Sequence, residues 1–306
     1  GADCGEGDDI NERVEMKVYV FIVTYNRLSL LKKTINSLRK QTYPIYNLCV
    51  INNGSTDGTY EWLLEQQDLT VIHQENLGGA GGFSRGVQYA YEDGADWIWM
   101  MDDDVYPESN CLEQLLKYKE HSLCLQSARY FSDGIYVPWG YRYDLSRDFE
   151  EKISADNYKK EFFSVNTGCF EGMLIHRSIV AKIGYPDKRF FITSDDRMYG
   201  YLASKHTDLI LVRDARLNRE ATSGEVKYSP FYSYYLYRNF HLRDEYCKAI
   251  TGKSFPLKVK MMYVLSALKN SLIGYSFLEP SLRKKMRTAI WKGFVDCLRK
   301  KENKTF

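Results

Sequence analysis

The sequence predicts an α/β fold, a parallel sheet layered with helices, followed by a helical C-terminal extension. Three observations predict it. Short β-branched and aromatic runs alternate with segments of helical periodicity over the first hundred residues. Each polar motif there falls at the carboxyl end of a strand, where open α/β sheets bind ligands. Beyond Asn218 the strand patterns give way to helical ones.

Val18 to Thr24 (VYVFIVT) is a buried strand by its continuous apolar run. Leu28 to Gln41 carries apolar residues at helical spacing, with Ser29 as its cap. Leu48 to Ile51 is the second strand, and the turn-rich NNGSTDG opens a helix from Thr59 to Gln66. Thr70 to Gln74 is the third strand, and the Gly-rich NLGGAGGFSRG leads into a helix through Tyr91. Trp97 to Met101 is the fourth, ending at Asp102. Tyr130 to Phe163 is irregular and predicts loops with antiparallel pieces. Gly172 to Ile183 predicts a strand then a helix. Phe190 to Ser194 predicts a short strand feeding a carboxylate-bearing helix start at Asp195. The C-terminal helices break near Phe255-Pro256 and Glu279-Pro280. The organisation expected is a lead over 1–15, disordered or a cloning remnant, a catalytic domain over 16–217 and a helical region over 218–306.

Composition narrows the function. A net charge of +2 over 306 residues gives no electrostatic footprint for nucleic acid. The 25 tyrosines suit either sugar-binding surfaces or a Tyr-rich core. The seven cysteines have no CxxC or metal-finger spacing, which predicts a reducing compartment without a disulfide framework. The acidic N-terminus is not a secretory signal, and the most apolar window, Met261 to Leu278, is interrupted by Lys269 and Asn270. A cytoplasmic protein is expected, with or without peripheral contact at the inner face of the cell membrane.

Three consecutive aspartates end the strand WIWMMDDDV. Such charges repel one another unless a cation or solvent relieves them, and hard oxygen ligands suit Mn2+ or Mg2+ held jointly with phosphates. Strand alternation puts Asp102 and Asp104 on one side and Asp103 on the other. Pro107 stands where an EF-hand loop needs Gly, and Cys247 stands where a P-loop reading of TGKS needs its first Gly. In NLGGAGGFSRG the glycines, Gly79 among them, let backbone amides approach an anion, and Arg85 adds charge. NNGSTDGT offers Asn53, Ser55 and Asp57 either for binding or for turn and cap chemistry. Asp195 and Asp196 are either a paired-carboxylate general base or a cap with a first-turn acid.

FIVTYNR, NNGSTDGT, NLGGAGGFSRG, MMDDDV and FFITSDDRMYGYLAS, in this order from Met16 to Ala203, resemble family 2 glycosyltransferases with the GT-A fold, a Rossmann-like mixed sheet. The doubled glycines and the triple Asp look most like the bacterial galactofuranosyltransferase and rhamnosyltransferase branch. The resemblance implies that Thr24, Tyr25 and Arg27 line a nucleoside pocket with Asn53 beside the base, where many members carry Asp. It implies that Arg85 faces the donor, that Asp102 and Asp104 hold the metal, and that Asp103 lies near the ribose or sugar. Asp196 matches the catalytic base and Asp195 lies near the acceptor. Two positions beyond that base the family has an acid and this chain has Met198. Further on it often has a metal-side His, where this chain has Asn218 or Arg219. YSYYLYRNF resembles a family stretch near the acceptor or diphosphate through Tyr235, Arg238 and Asn239.

The implied function is an inverting, metal-dependent transfer of a sugar from a nucleotide diphosphate, UDP-galactofuranose first and dTDP-rhamnose second. The acceptor would be a glycan or lipid-linked glycan of a bacterial cell-surface polysaccharide. Two other classes compete. A nucleotidyltransferase would carry its Gly-rich loop after the first strand, where TYNR stands. A non-catalytic nucleotide-sugar-binding protein is favoured by the absent His. The basic, roughly amphipathic LRKKMRTAIWKGFVDCLRKK could lie on an anionic membrane or pack its apolar side on the domain.

Overall fold

A computed structural model describes residues 16–137, 142–225 and 227–302; the expectation for 1–15 lies outside them. In chain order the elements are β1 (Val18–Thr24), α1 (Leu28–Leu38), β2 (Asn47–Asn52), α2 (Thr59–Leu64), β3 (Thr70–His73), α3 (Gly78–Glu92) and β4 (Trp97–Asp102). There follow β5 (Val105–Pro107), α4 (Cys111–Leu116), β6 (Cys124–Tyr130), β7 (Arg142–Asp144), β8 (Phe149–Glu151), β9 (Phe162–Val165), β10 (Met173–His176) and α5 (Arg177–Ile183). The last are α6 (Asp195–Ala203), β11 (Leu209–Arg219), α7 (Pro230–Arg238), α8 (Phe240–Thr251), α9 (Leu257–Leu272) and α10 (Pro280–Leu298).

The main sheet runs β3-β2-β1-β4-β10-β6-β11-β5, with β9 also on β11. Its first four strands are parallel, as the alternating pattern predicts. The sheet becomes mixed where β10 enters antiparallel between β4 and β6. β7 and β8 form a separate antiparallel hairpin.

β1 is buried along its whole length because both faces are covered. Tyr19, Phe21 and Val23 face the cluster under α3, whereas Val18, Val20 and Ile22 face the one under α1 and α4. α1 answers with a stripe of Leu31, Ile35 and Leu38. Ser29 does not cap it: the Leu28 N–H donates instead to the Asp57 carboxylate at 3.0 Å. The Gly-rich run has a packing cause. A Cβ on Gly82 or Gly86 would collide with Val23 or the Phe21 ring, so these glycines let α3 lie close on β1.

Beyond β11 the chain is helical. Gly293 brings α10 against the Tyr234 backbone of α7, and the Tyr234 hydroxyl donates to Asp296 at 2.7 Å. Met286, Ala289, Ile290, Phe294 and Cys297 are all buried, so the apolar side of the basic C-terminal segment packs on the protein.

Candidate active site

The carboxyl ends of β1 and β4 lie side by side, with Val23 opposite Asp102. Strand alternation then separates the three aspartates. Asp103 turns inward, where its carboxylate accepts from the Thr24 hydroxyl at 2.7 Å and from Arg27 at 3.2 Å. Burial pushes Asp103 up to about 6, against the pull of Arg27. Arg27 also reaches Asp104 at 3.0 Å, so one half-exposed guanidinium ties two of the acids.

Asp102 and Asp104 emerge together on the other side, as alternation predicts, and a third acid joins them. One carboxylate oxygen from each of Asp102, Asp104 and Glu171 lies within 4.8 Å of the others. Glu171, just before β10, was not singled out in the sequence. Its signal was a lone acid in the apolar run CFEGMLI, where a charge needs a partner. Burial would raise Glu171, but Arg129 and then Arg219 hold it below the usual carboxylate range. Arg219 donates to it at 3.1 Å, so Arg219 rather than Asn218 stands at the acids. Burial and then the Glu171 charge push Asp102 and Asp104 up. Three hard oxygen donors, one kept ionised and two raised by their neighbours, fit a divalent cation that would relieve the repulsion.

The Gly-rich segment divides its work. Gly78 has φ +75°, and a Cβ there would run into the Phe191 backbone. Gly79 has open space beside it and lines the cleft. Asn53 braces this turn: its amide donates to the Gly78 carbonyl at 2.9 Å and its oxygen accepts from Gln74 and the Leu77 N–H. Asn53 and the half-exposed Tyr25 both line the cleft. Two predicted residues do not. Asp57 is exposed and joins helix starts, accepting from the Leu28 N–H and the Thr59 hydroxyl at 2.6 Å. Arg85 sits two turns along α3, where its charge is felt by the Cys49 thiol of β2, and the cleft's arginines are Arg27, Arg129, Arg197 and Arg219.

Asp195 and Asp196 open α6, but the stretch before them is not the predicted strand. Lys188–Phe190 is a 3-10 turn, and Phe191, Thr193 and Ser194 adopt φ of 61°, 66° and 68°. Such left-handed conformations persist only where the surroundings enforce them. The enforcing groups are Arg238 and Asn239. Buried Arg238 donates to the Arg189 and Phe190 carbonyls at 2.6 and 2.7 Å. Asn239 donates to the carbonyls of Phe190, Ile192 and Thr193. Tyr235 is equally buried and stacks on Phe191 at 4.9 Å. Of the three residues expected on the acceptor side, Tyr235 and Arg238 therefore lie beneath the loop, and Asp195 lines the cleft. α7 presents Tyr232 and Leu236 to the cleft instead, one turn apart. Arg238→Ala takes the donor from the Arg189 carbonyl, leaves Asn239 as the side-chain donor to the Phe190 carbonyl and opens a buried hole, and we expect a loss of about 3 kcal/mol in denaturant unfolding. An unchanged unfolding midpoint would show that the loop holds itself.

Asp195 is pushed up to about 8, by burial first and then by the Asp196 charge. Burial also raises Asp196, opposed by the Arg197 N–H at 2.7 Å and by the charges of Arg197 and Arg129. Asp196 is thus the acid that ionises first, and Asp195 keeps its proton near neutrality.

Two cavities meet here. One, of about 480 Å3, has Thr24, Tyr25, Arg27, Asn53 and Asp103 in its wall. The other, of about 400 Å3, has Glu171, Asp195, Asp196, Arg197 and Arg219. Gly79, Asp102, Ile192 and Tyr232 border both.

Residues 19–184 match the model of glycosyl transferase family 2. The chain belongs to this family. A relative at the sequence level, galactofuranosyltransferase GlfT1 of Mycobacterium tuberculosis, is 32% identical over 189 residues, 58% of this chain and 62% of the relative. The namesake from Mycolicibacterium smegmatis is 26% identical over 188 residues, again 58% and 62%. This chain thus spans less than two thirds of the length of either. GalNAc-T7, solved with UDP, GalNAc and Mn2+, superposes with TM-score 0.58 at 16% identity, covering 93% of this chain and 56% of its own. The mannosyltransferase PcManGT from Pyrobaculum calidifontis, solved with GDP-Man and Mn2+, superposes with TM-score 0.54 at 16% identity, covering 94% and 88%. The fold is that of the GT-A glycosyltransferases, with C-terminal helices. The family 2 match ends before Asp195, so loop 188–194 and its braces lie outside it.

Proposed function

We propose that this chain is an inverting, metal-dependent glycosyltransferase that moves galactofuranose from UDP-galactofuranose onto a hydroxyl of a glycan or lipid-linked glycan in bacterial cell-surface polysaccharide synthesis. The observation that carries this reading is the pair of joined cavities, one with Asp102 and Asp103 in its wall and the other with the acid pair, sharing Asp102 and Gly79. The first is assigned to the nucleotide and diphosphate. Thr24, Tyr25, Arg27 and Asn53 border it, and Gly79 brings the first turn of α3 to an anion. Asp102, Asp104 and Glu171 would hold Mn2+ or Mg2+, which when bound supplies Lewis-acid neutralisation of the leaving diphosphate.

The second cavity is assigned to the acceptor. Asp196 takes the proton of the acceptor hydroxyl as its oxygen bonds to the anomeric carbon, and the bond to the diphosphate breaks with its electrons on the leaving group. Asp195, protonated, holds the acceptor by a hydrogen bond. No residue needs to protonate the leaving group, unlike in glycoside hydrolysis. The GlfT1 relatives support the galactofuranose donor; dTDP-rhamnose is the second choice.

Calorimetric titration of UDP and dTDP, with and without Mn2+, tests the donor assignment. We expect UDP to bind in a Mn2+-dependent way and dTDP about tenfold more weakly or worse. Preference for dTDP would move the donor to rhamnose, and no binding of either nucleotide would remove the proposal. Binding without donor hydrolysis or transfer would mark a non-catalytic nucleotide-sugar-binding protein.

A further inference from the structure

α9 carries an apolar face that no part of the described chain covers. Leu257, Met261, Leu265 and Leu272 follow helical spacing along one side and are 73%, 54%, 61% and 66% exposed. Ile273 and Phe277 prolong the stripe beyond the helix and are equally open. The opposite side is well packed: Ala267 is fully buried and Tyr263 stacks on Phe240 at 3.9 Å. A contiguous apolar stripe of this kind on a soluble surface marks an interaction site.

Charge indicates the occupant. The exposed Lys258 and Lys269 lie on the same side as the stripe, and no Asp or Glu occurs between Lys258 and Leu278. Lysines flanking an apolar strip bury their stems and hold their ammonium groups at headgroup level, the pattern of a helix lying in a bilayer interface. A second copy laid on this strip would set lysine against lysine with no facing carboxylate. Anionic lipid supplies the missing charge. No helix among the described residues is long and apolar enough to cross a membrane.

The same helix walls a cavity of about 340 Å3. Val259, Met262 and Tyr263 of α9 line it with Leu236, Arg147 and Arg197. Leu236 and Arg197 also line the cavity of the acid pair. Arg147 is largely exposed, and its carboxylate neighbour, Asp144, is 4.0 Å away. An apolar wall beside Arg147, on the side of α9 next to the stripe and reaching the Asp196 cavity through the shared Leu236 and Arg197, fits the phosphate-bearing end of a lipid.

We propose that the exposed face of α9 docks on an anionic bilayer and that the adjoining cavity admits the phosphate end of a lipid-linked acceptor. The docking stands on the α9 surface alone, whereas the use made of it rests on the transferase reading. Co-sedimentation of the full chain with phosphatidylcholine vesicles, with and without about a third phosphatidylglycerol, tests it. Binding should require the anionic lipid and weaken with salt. The double variant Leu265→Glu, Leu272→Glu should lose at least about tenfold in vesicle affinity with its unfolding temperature and UDP binding unchanged. On vesicles the same variant should slow transfer to a glycan carried on a lipid phosphate and leave transfer to the water-soluble glycan unaltered. Absence of binding at low salt, or full binding by the double variant, would overturn the docking. A vesicle-free dimer by light scattering that the double variant dissociates would show that the stripe joins two copies, and would overturn it too. Equal slowing on both acceptors would overturn the delivery role. Vesicle binding intact with no UDP binding would remove the transferase reading and leave the docking standing.

Discussion

Asp196→Asn is expected to lower transfer by about a thousandfold while changing UDP affinity less than about twofold. The two neighbouring acids should behave differently. Near neutral pH Asp195 already carries its proton, because burial and the Asp196 charge push it up to about 8. An Asn at 195 copies that protonated form, so Asp195→Asn should keep transfer within about tenfold of the wild type. The pH profiles follow. Asp196 must lose its proton to act, so the rate rises with pH through its raised pKa. Wild-type transfer should change again as Asp195 ionises near pH 8, and that second limb should be missing from Asp195→Asn. The linked stability effect has a definite sign. A carboxyl whose folded pKa is raised binds its proton more tightly folded than unfolded, so its contribution is complete below pH 4 and is lost as pH rises toward 8. If Asp195→Asn were as inactive as Asp196→Asn while both bound UDP, the roles given to the two acids would be wrong.

Asp104→Asn should weaken Mn2+ binding in the presence of UDP by about a hundredfold, measured by the electron spin resonance of free Mn2+. Asp104 serves better than Glu171 for this test. Its side chain is 27% exposed, whereas Glu171 is buried and answers both Arg129 and Arg219. Neutralising Glu171 would leave two arginines without their counter-charge and confuse metal loss with unfolding. Chelation of the cation should stop transfer by the wild type and restore it on re-addition. Unaltered Mn2+ affinity in Asp104→Asn would remove Asp104 from the ligand set.

The strand-helix alternation through β4 was legible because β1, β2 and β4 are buried on both faces and read as apolar runs, with only the edge strand β3 left half-buried. The later sheet was not. β10 enters antiparallel between β4 and β6, a choice made by pairing between distant segments that local periodicity does not record. In the site, clustered charge was legible and solitary charge was not. Asp102 to Asp104 and Asp195-Asp196 stand out against apolar neighbours, whereas Glu171 is one acid among hydrophobes. Helical phase decided the rest. In YSYYLYRNF nearly every position can pack, so the sequence does not say that Tyr232 and Leu236 face the cleft while Tyr235 and Arg238 face away. In the Gly-rich run, Gly82 and Gly86 serve helix-on-strand contact, and only the leading Gly78 and Gly79 border the cleft.

The loop before α6 has a consequence for how this chain could be recombined with its relatives. The carbonyls of Arg189, Phe190, Ile192 and Thr193 are fastened by two residues, Arg238 and Asn239, that arrive after the whole sheet is finished. The posture of the acid pair is therefore inherited from two distant stretches of chain. A hybrid joining 16–219 to helices that lack this Arg-Asn couple would keep the strand-end wall of its nucleotide cavity, from Thr24 to Asp103, and receive a misplaced acid pair. The crossover points that preserve chemistry are those that carry loop and couple together, and they do not coincide with the end of the sheet.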